Sequence, residues 1–365
     1  MVQQLWLLLI LLLVSVGTAH AQKNETQTPI IALAGNKLYA VSPVDGSATV
    51  LVEPPEKQTF FMDGFASLSA DGKHFVYATE TNPEDYDYKV TIFVLDVTTR
   101  KTEVLEPKGT VFDKPARQGY HFRLDHPTWS VDGTRLYYLR TEIDSSGRGK
   151  KAAVQLAYLD LTTGTHKLVA RIDPKKFTGN LMAIEDGIIV HYFEVSGDDQ
   201  PVTLYALDGR VVSENKVVNL YPYPMRYEGQ DYYGMGDPWG GVSTVINIKT
   251  GEKRFLGDGF FPAGRSRLSG DKSLLVVHSI NTDSWYRTFR PDNTRIPKII
   301  EDTYGVQYSL APDGQSVAYL LYDATQNVPI RILEADGTER ELPFVANKIY
   351  WSPLENVVFY EEPKG

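Results

Sequence analysis

The chain of 365 residues is 42% hydrophobic and 12% aromatic, enough to bury a large core in two domains or in one large all-β domain. Its formal charge of -9 argues against a phosphate-binding surface, which needs clustered cations, so nucleic acid is not an expected partner. There is no cysteine, which excludes disulfides and thiolate metal sites and leaves stability to packing.

The chain opens on "MVQQLWLLLILLLVSVGTAHAQ", an apolar run from Leu5 to Val16 followed by Ala19-His20-Ala21, the small-x-small pattern cut by a signal peptidase. The run is about twelve residues, short against the roughly twenty that a bilayer needs. Residues 1–21 are therefore expected to be a signal peptide and residues 22–365 a single exported domain, secreted or periplasmic, with no later membrane span.

Two stretches then carry nearly the same hairpin: "LSADGKHFVYAT" from Leu68 and "WSVDGTRLYYLR" from Trp129. With those residues as offset zero, the register recurs at Ala183, Met225, Leu268, Leu310 and Trp351. The spacing falls from roughly 61 residues to about 41, the range of propeller blades once the first copies carry insertions. Offset nine is Tyr77, Tyr138, Tyr192, Tyr319 and Tyr360; offset seven is Phe75, Leu136, Val190, Val317 and Val358 in the same copies. A strand apolar on both faces is covered on both faces, as between neighbouring blades.

Each hairpin is followed by a second strand pair, as in "VTIFVLDVTTRKTEVLEP" and "VQLAYLDLTTGTHKLVARI". Four short strands per repeat predict an all-β chain forming a single β-propeller, with seven four-stranded blades fitting best. The hairpin from Trp351 runs out of chain before its second pair, and "NKLYAVSPVDGSATVLVEP", Asn36 to Pro54, supplies one from the other end. The closing blade is thus expected to be shared between the termini, which removes two open edges.

"WSVDGTRLYYLR" and "LAPDGQSVAYLL" resemble the WD-like propeller repeats of the TolB type. The resemblance implies the fold and leaves the function open. Such repeats occur in periplasmic scaffolds, in propellers of prolyl-peptidase-like hydrolases and in some polysaccharide lyases.

Loops joining second and third strands open on the face opposite the Asp-Gly turns. Two of them share Asp-x-Trp: "GDPWGG" with Asp237 and Trp239, and "NTDSWYRTFR" with Asp283 and Trp285 beside Tyr286 and Arg287. A flat apolar ring next to an acceptor suits a sugar or a peptide; the plainer reading is a ring stapling its loop and an Asp capping a turn. Near the channel mouth, "HFRLDHPTWS" gathers Arg123, Asp125 and His126, with His126 expected to open an innermost strand. This is the candidate cluster for acid-base work. His121 and His126, five apart, point to opposite faces of a straight strand and would share a metal only if the chain bends.

No Gly-x-Ser-x-Gly elbow and no His-Glu-x-x-His is present. The expectation is a monomeric propeller that binds a protein or glycan partner, with no cofactor, no metal and no catalytic residue. The alternative is a propeller enzyme of polysaccharide lyase or hydrolase type with a channel-mouth site.

Overall fold

The computed structural model describes most of residues 28–218, the strands and some turns between 219 and 305, and most of 306–351 together with the backbone of Val358–Tyr360. Among the described residues every regular element is a strand. The strands group into seven sheets, A to G, nearly all antiparallel within themselves.

Sheet C is the clearest example: Tyr120–Trp129, Arg135–Asp144, Lys151–Asp160 and Thr165–Ile172 pair in chain order, each with the next. Sheets D (Phe177–Val218) and G (Val306–Ala346) repeat this meander, and sheet B differs in that two short strands, Gln58–Phe61 and Ser67–Leu68, both pair with His74–Thr81. Sheets E (Tyr223–Phe255) and F (Arg267–Glu301) follow the same order.

The repeated turn has a local chemical cause. Gly72 and Gly133 sit at φ +69° and +72°, a region that a side chain disfavours. Ahead of each, Ser69 Oγ donates to Asp71 Oδ1 at 2.7 Å and Ser130 Oγ to Asp132 Oδ1 at 2.6 Å. The same carboxylates accept the backbone N–H of Lys73 and Thr134, while His74 and Arg135 N–H donate to the serine oxygens at 2.9 Å. One Ser-x-Asp-Gly unit thus satisfies the turn's polar groups from within. The outer hairpins use a second device: Thr162 and Thr163 N–H donate to Asp160 Oδ1, and Lys249 and Thr250 N–H to Asn247 Oδ1.

Past the turn, the offset-seven and offset-nine residues are buried where their side chains are described: Phe75 and Tyr77, Leu136 and Tyr138, Val190 and Tyr192, Val317 and Tyr319. Burial pushes the phenols of Tyr77 and Tyr137 up to about 12.

These side chains join consecutive sheets. One apolar cluster packs sheet A, formed by strands within Ile30–Val52 and by Lys348–Tyr350, on sheet B, through Leu38, Phe75 and Tyr350; another packs B on C, through Val76, Trp129 and Tyr138. Leu156 and Val190 belong to a cluster between C and D, and Ile332 and Ile349 to one between G and A. The last sheet therefore packs on the first. Consecutive meander sheets packed face to face and returning to their start make a β-propeller.

Closure is shared between the two ends, but not in the expected two-and-two split. Sheet A takes one strand from the C-terminal part, Lys348–Tyr350, and three from the N-terminal part, Ile30–Ala34, Lys37–Val41 and Ala48–Val52. Ile31 pairs with Tyr350 and Leu33 with Lys348. Val358–Tyr360, expected as the second strand of this blade, instead lies parallel to Tyr223–Tyr227 of sheet E. The place is taken by Ile30–Ala34, whose five residues are all buried and which turns into its partner through Gly35 and Asn36 at φ +52° and +58°, the two left-handed residues that a tight type I′ hairpin requires.

Candidate functional site

The three inner strands of sheet C are ten residues each, against seven or eight for the second and third strands of sheet B. Pairing persists to Tyr120–Asp144, and beyond it Ser145 N–H donates to the Gly119 carbonyl at 2.9 Å. The end opposite the Asp132-Gly133 turn is therefore built on extended, hydrogen-bonded strands. A site on such strands is held more rigidly than one on a loop.

Alternation sorts the residues there. Arg123 and Asp125, two apart, share one face of Tyr120–Trp129 and form an ion pair, with Nε 2.8 Å from Oδ1 and 3.0 Å from Oδ2. The pairing of this strand then slips: Asp125 faces Leu139 and Thr128 faces Tyr137, so His126 and Pro127 together oppose Tyr138. This is a β-bulge, with its first residue, His126, left-handed at φ +54° and Pro127 where no ladder N–H is required.

His126 thus lies inside an innermost strand and does not open it; the strand begins at Tyr120 because the long hairpin continues to Asp144. The bend that would let His121 and His126 meet does occur. Even so, His121 Nδ1 lies 3.2 Å from Ser145 Oγ, while His126 feels Asp125, Arg123 and Lys151. Among the described residues no group of three or more His, Asp or Glu is placed to hold a metal ion.

Burial holds the His126 imidazole below its ordinary pKa against the pull of Asp125, and Arg123 and Lys151 push the same way as burial. His126 is accordingly neutral at pH 7. Burial also lowers the Lys151 ammonium, opposed by Asp125 and reinforced by Arg123.

The opposite face of the same hairpin holds a second polar group, which the sequence pattern did not single out. Arg140 is buried, donates to Gln155 Oε1 at 3.1 Å and to the Phe112 carbonyl at 3.0 Å, and lies 3.4 Å from the centroid of the Phe122 ring. Two residues on, buried Glu142 accepts the Arg117 backbone N–H at 2.6 Å and faces Arg117 Nε at 3.5 Å. These contacts tie the segment around Phe112 and Arg117, between sheets B and C, onto the hairpin. Strict alternation of Phe122 and Leu124 against Arg140 and Glu142 was the available signal, and a buried Arg in an apolar strand runs against what composition leads one to expect.

The Asp-x-Trp residues fall differently. Asp237 ends the strand Gln230–Asp237 and pairs with Gly241, so "GDPWGG" does join second and third strands. Trp239 and Asp283 lie outside the described residues. Trp285, Tyr286 and Arg287, expected in a loop, are in the strand Trp285–Phe289, opposite Glu301, Ile300 and Val277. The run Trp-Tyr-Arg-Thr-Phe favours a strand, and the loop ends before it.

No family model matches the sequence, and no curated protein matches it. Solved structures do. Prolyl oligopeptidase B from Galerina marginata, in its apo form, is similar over 86% of this chain and 48% of its own, at 14% identity and a TM-score of 0.56. An oligogalacturonate lyase in complex with manganese is similar over 86% of this chain and 85% of its own, at 15% identity and a TM-score of 0.51. TolB from Acinetobacter baumannii is 15% identical, over 90% of this chain and 66% of its own, with a TM-score of 0.43. The chain has a β-propeller fold. At such identities the likeness is one of fold, and the enzymes among these structures pass no activity to this chain.

Proposed function

We propose that this chain is an exported β-propeller that binds a protein or glycan partner and performs no chemistry on it. The observation that carries this reading is the Arg123–Asp125 pair. A general base or acid must present its lone pair or proton to a substrate. Asp125 has both oxygens within 3.0 Å of Arg123 Nε and a side chain only 12% exposed. His126 beside it is half-buried in the bulge, where burial holds its imidazole below its ordinary pKa. The carboxylate here is thus committed to a neighbouring guanidinium that faces outward, an arrangement that recognises a ligand more readily than it transforms one.

Export is read from residues 1–21 and is tested directly: amino-terminal sequencing of the protein recovered outside the cytoplasm should begin at Gln22. For function, the exported protein is screened against glycan and peptide arrays and the ligands it retains are weighed by mass spectrometry. Ligands of unchanged mass are expected. Fragments or unsaturated products would overturn the reading in favour of a lyase or hydrolase.

A further inference from the structure

The ion pairs at the open end of sheet C share an asymmetry. In Arg117–Glu142 the guanidinium side chain is 67% exposed and the carboxylate 6%; in Arg123–Asp125 the figures are 47% and 12%. In each, the anion is inside and the cation outside. Lys150 is exposed and half-buried Lys151 opens the next strand at the same end, since Asp144 N–H donates to the Lys150 carbonyl at 2.9 Å and Ile143 pairs with both His121 and Lys151.

At this end the described cations Arg117, Arg123, Lys150 and Lys151 stand against Asp125, Glu142 and Asp144, in a chain with 37 cations and 46 anions in all. A local positive field on a negative molecule draws anions to one place and repels them elsewhere.

We propose that the open end of sheet C is a docking surface for an acidic polypeptide segment, with Arg117, Arg123 and Lys150 as its contact cations. The proposal rests on the binding reading above and names the partner's chemistry. Each guanidinium meets its own carboxylate through Nε, which fixes its orientation and leaves the Nη edge for a side-chain carboxylate of the partner, the geometry in which arginine is most selective. Buried acids holding exposed arginines reduce the ordering cost of binding. A peptide is favoured over an acidic sugar chain because sugars stack on open aromatic faces, and of the described rings at this end Arg140 lies over Phe112 and Phe122 at 5.6 and 3.4 Å and Tyr120 is half-buried.

The test uses the whole exported protein and a fluorescent oligo-glutamate peptide, read by anisotropy, with polygalacturonate and an uncharged peptide as parallel probes. Saturable binding of oligo-glutamate is expected, lost progressively as salt approaches about 1 M, where the Debye length is about 3 Å. R117Q/R123Q/K150Q should weaken it by at least tenfold. K57Q/R100Q/K101Q, which removes equal charge from exposed positions elsewhere, should leave it within about twofold. Because Arg117→Gln withdraws one partner from buried Glu142, R123Q/K150Q is measured beside the triple variant, and each variant's melting temperature is recorded. Loss of binding in a variant that still melts cooperatively supports the surface. No binding of oligo-glutamate, equal loss in the control variant, or tighter binding of polygalacturonate overturns it. If the arrays still yield a ligand after such a failure, the binding reading stands and only this surface falls; if the retained ligands are cleaved, the reading itself falls.

Discussion

Tyr138 is fully buried between sheets B and C, and its hydroxyl lies 2.8 Å from His166 Nδ1, whose imidazole burial holds below its ordinary pKa with Lys108 adding to the effect. Tyr138→Ala removes a ring from a close-packed interface and should cost roughly 3 to 5 kcal/mol, whereas Tyr138→Phe forfeits one hydrogen bond and should cost about 1 kcal/mol. Urea unfolding of both variants checks the ratio. His191 supplies a pH prediction. Burial depresses its pKa from the ordinary 6.5 to about 4, so the unfolded chain binds the proton first as pH falls. The stabilisation due to neutral His191 is complete above about pH 6.5 and is lost as pH falls toward 4, up to about 3 kcal/mol. His191→Leu should flatten the dependence of unfolding free energy on pH in that window. The tyrosines at offset nine were legible in the sequence because each recurs in a fixed register. The Arg140–Glu142 network was not, because it depends on which face of a long hairpin the segment around Phe112 covers, and that is a tertiary fact.

Turns set the register of each sheet, and glycines mark where they allow no substitute. Gly209, at φ +86° in the outer hairpin of sheet D, would place a Cβ 2.0 Å from the Val169 carbonyl oxygen of sheet C. Gly209→Ala combines left-handed strain with a clash against a neighbouring sheet's backbone, and should destabilise by more than about 2 kcal/mol in thermal or urea unfolding. In the inner turn, Ser130→Ala and Asp132→Ala remove parts of one network. Burial opposes the charge on Asp132, yet hydrogen bonds from Ser130 and Thr134 outweigh it and hold the carboxyl below its ordinary pKa. Each change should cost about 1 kcal/mol, and the double variant less than the sum. Asp-Gly was read correctly from the sequence because its backbone demand is local. The Gly35-Asn36 turn carries an equally local signal, but it follows a short apolar strand, Ile30–Ala34, with no copy elsewhere, so a search for repeats passes over it. Trp285 to Arg287 were misplaced for the reverse reason: Asp-x-Trp matched a loop pattern while the propensity of the run set a strand.

At the scale of the whole molecule, the split of the closing sheet separates what a repeat can show from what only packing decides. "WSPLENVVFY" fits the repeat at offsets seven and nine through Val358 and Tyr360, whereas Ile30–Ala34 has Ala32 where other sheets have tyrosine. Resemblance therefore favoured the C-terminal segment. The ring is nonetheless closed by Ile30–Ala34, which buries all five residues between sheets G and B and continues directly into two further strands of sheet A. The charged end of sheet C depends on this closure, because its geometry is fixed by neighbours that a ring holds on both sides. The absence of cysteine from the chain makes the claim directly measurable. Leu33→Cys with Lys348→Cys places two thiols at paired positions of adjacent antiparallel strands, where a disulfide fits with little strain. The account predicts, under mild oxidation of the folded protein, a bond within one molecule between residues 33 and 348 and a raised melting temperature. Thiols that stay free, or that link only separate molecules, would contradict a ring closed by its two ends.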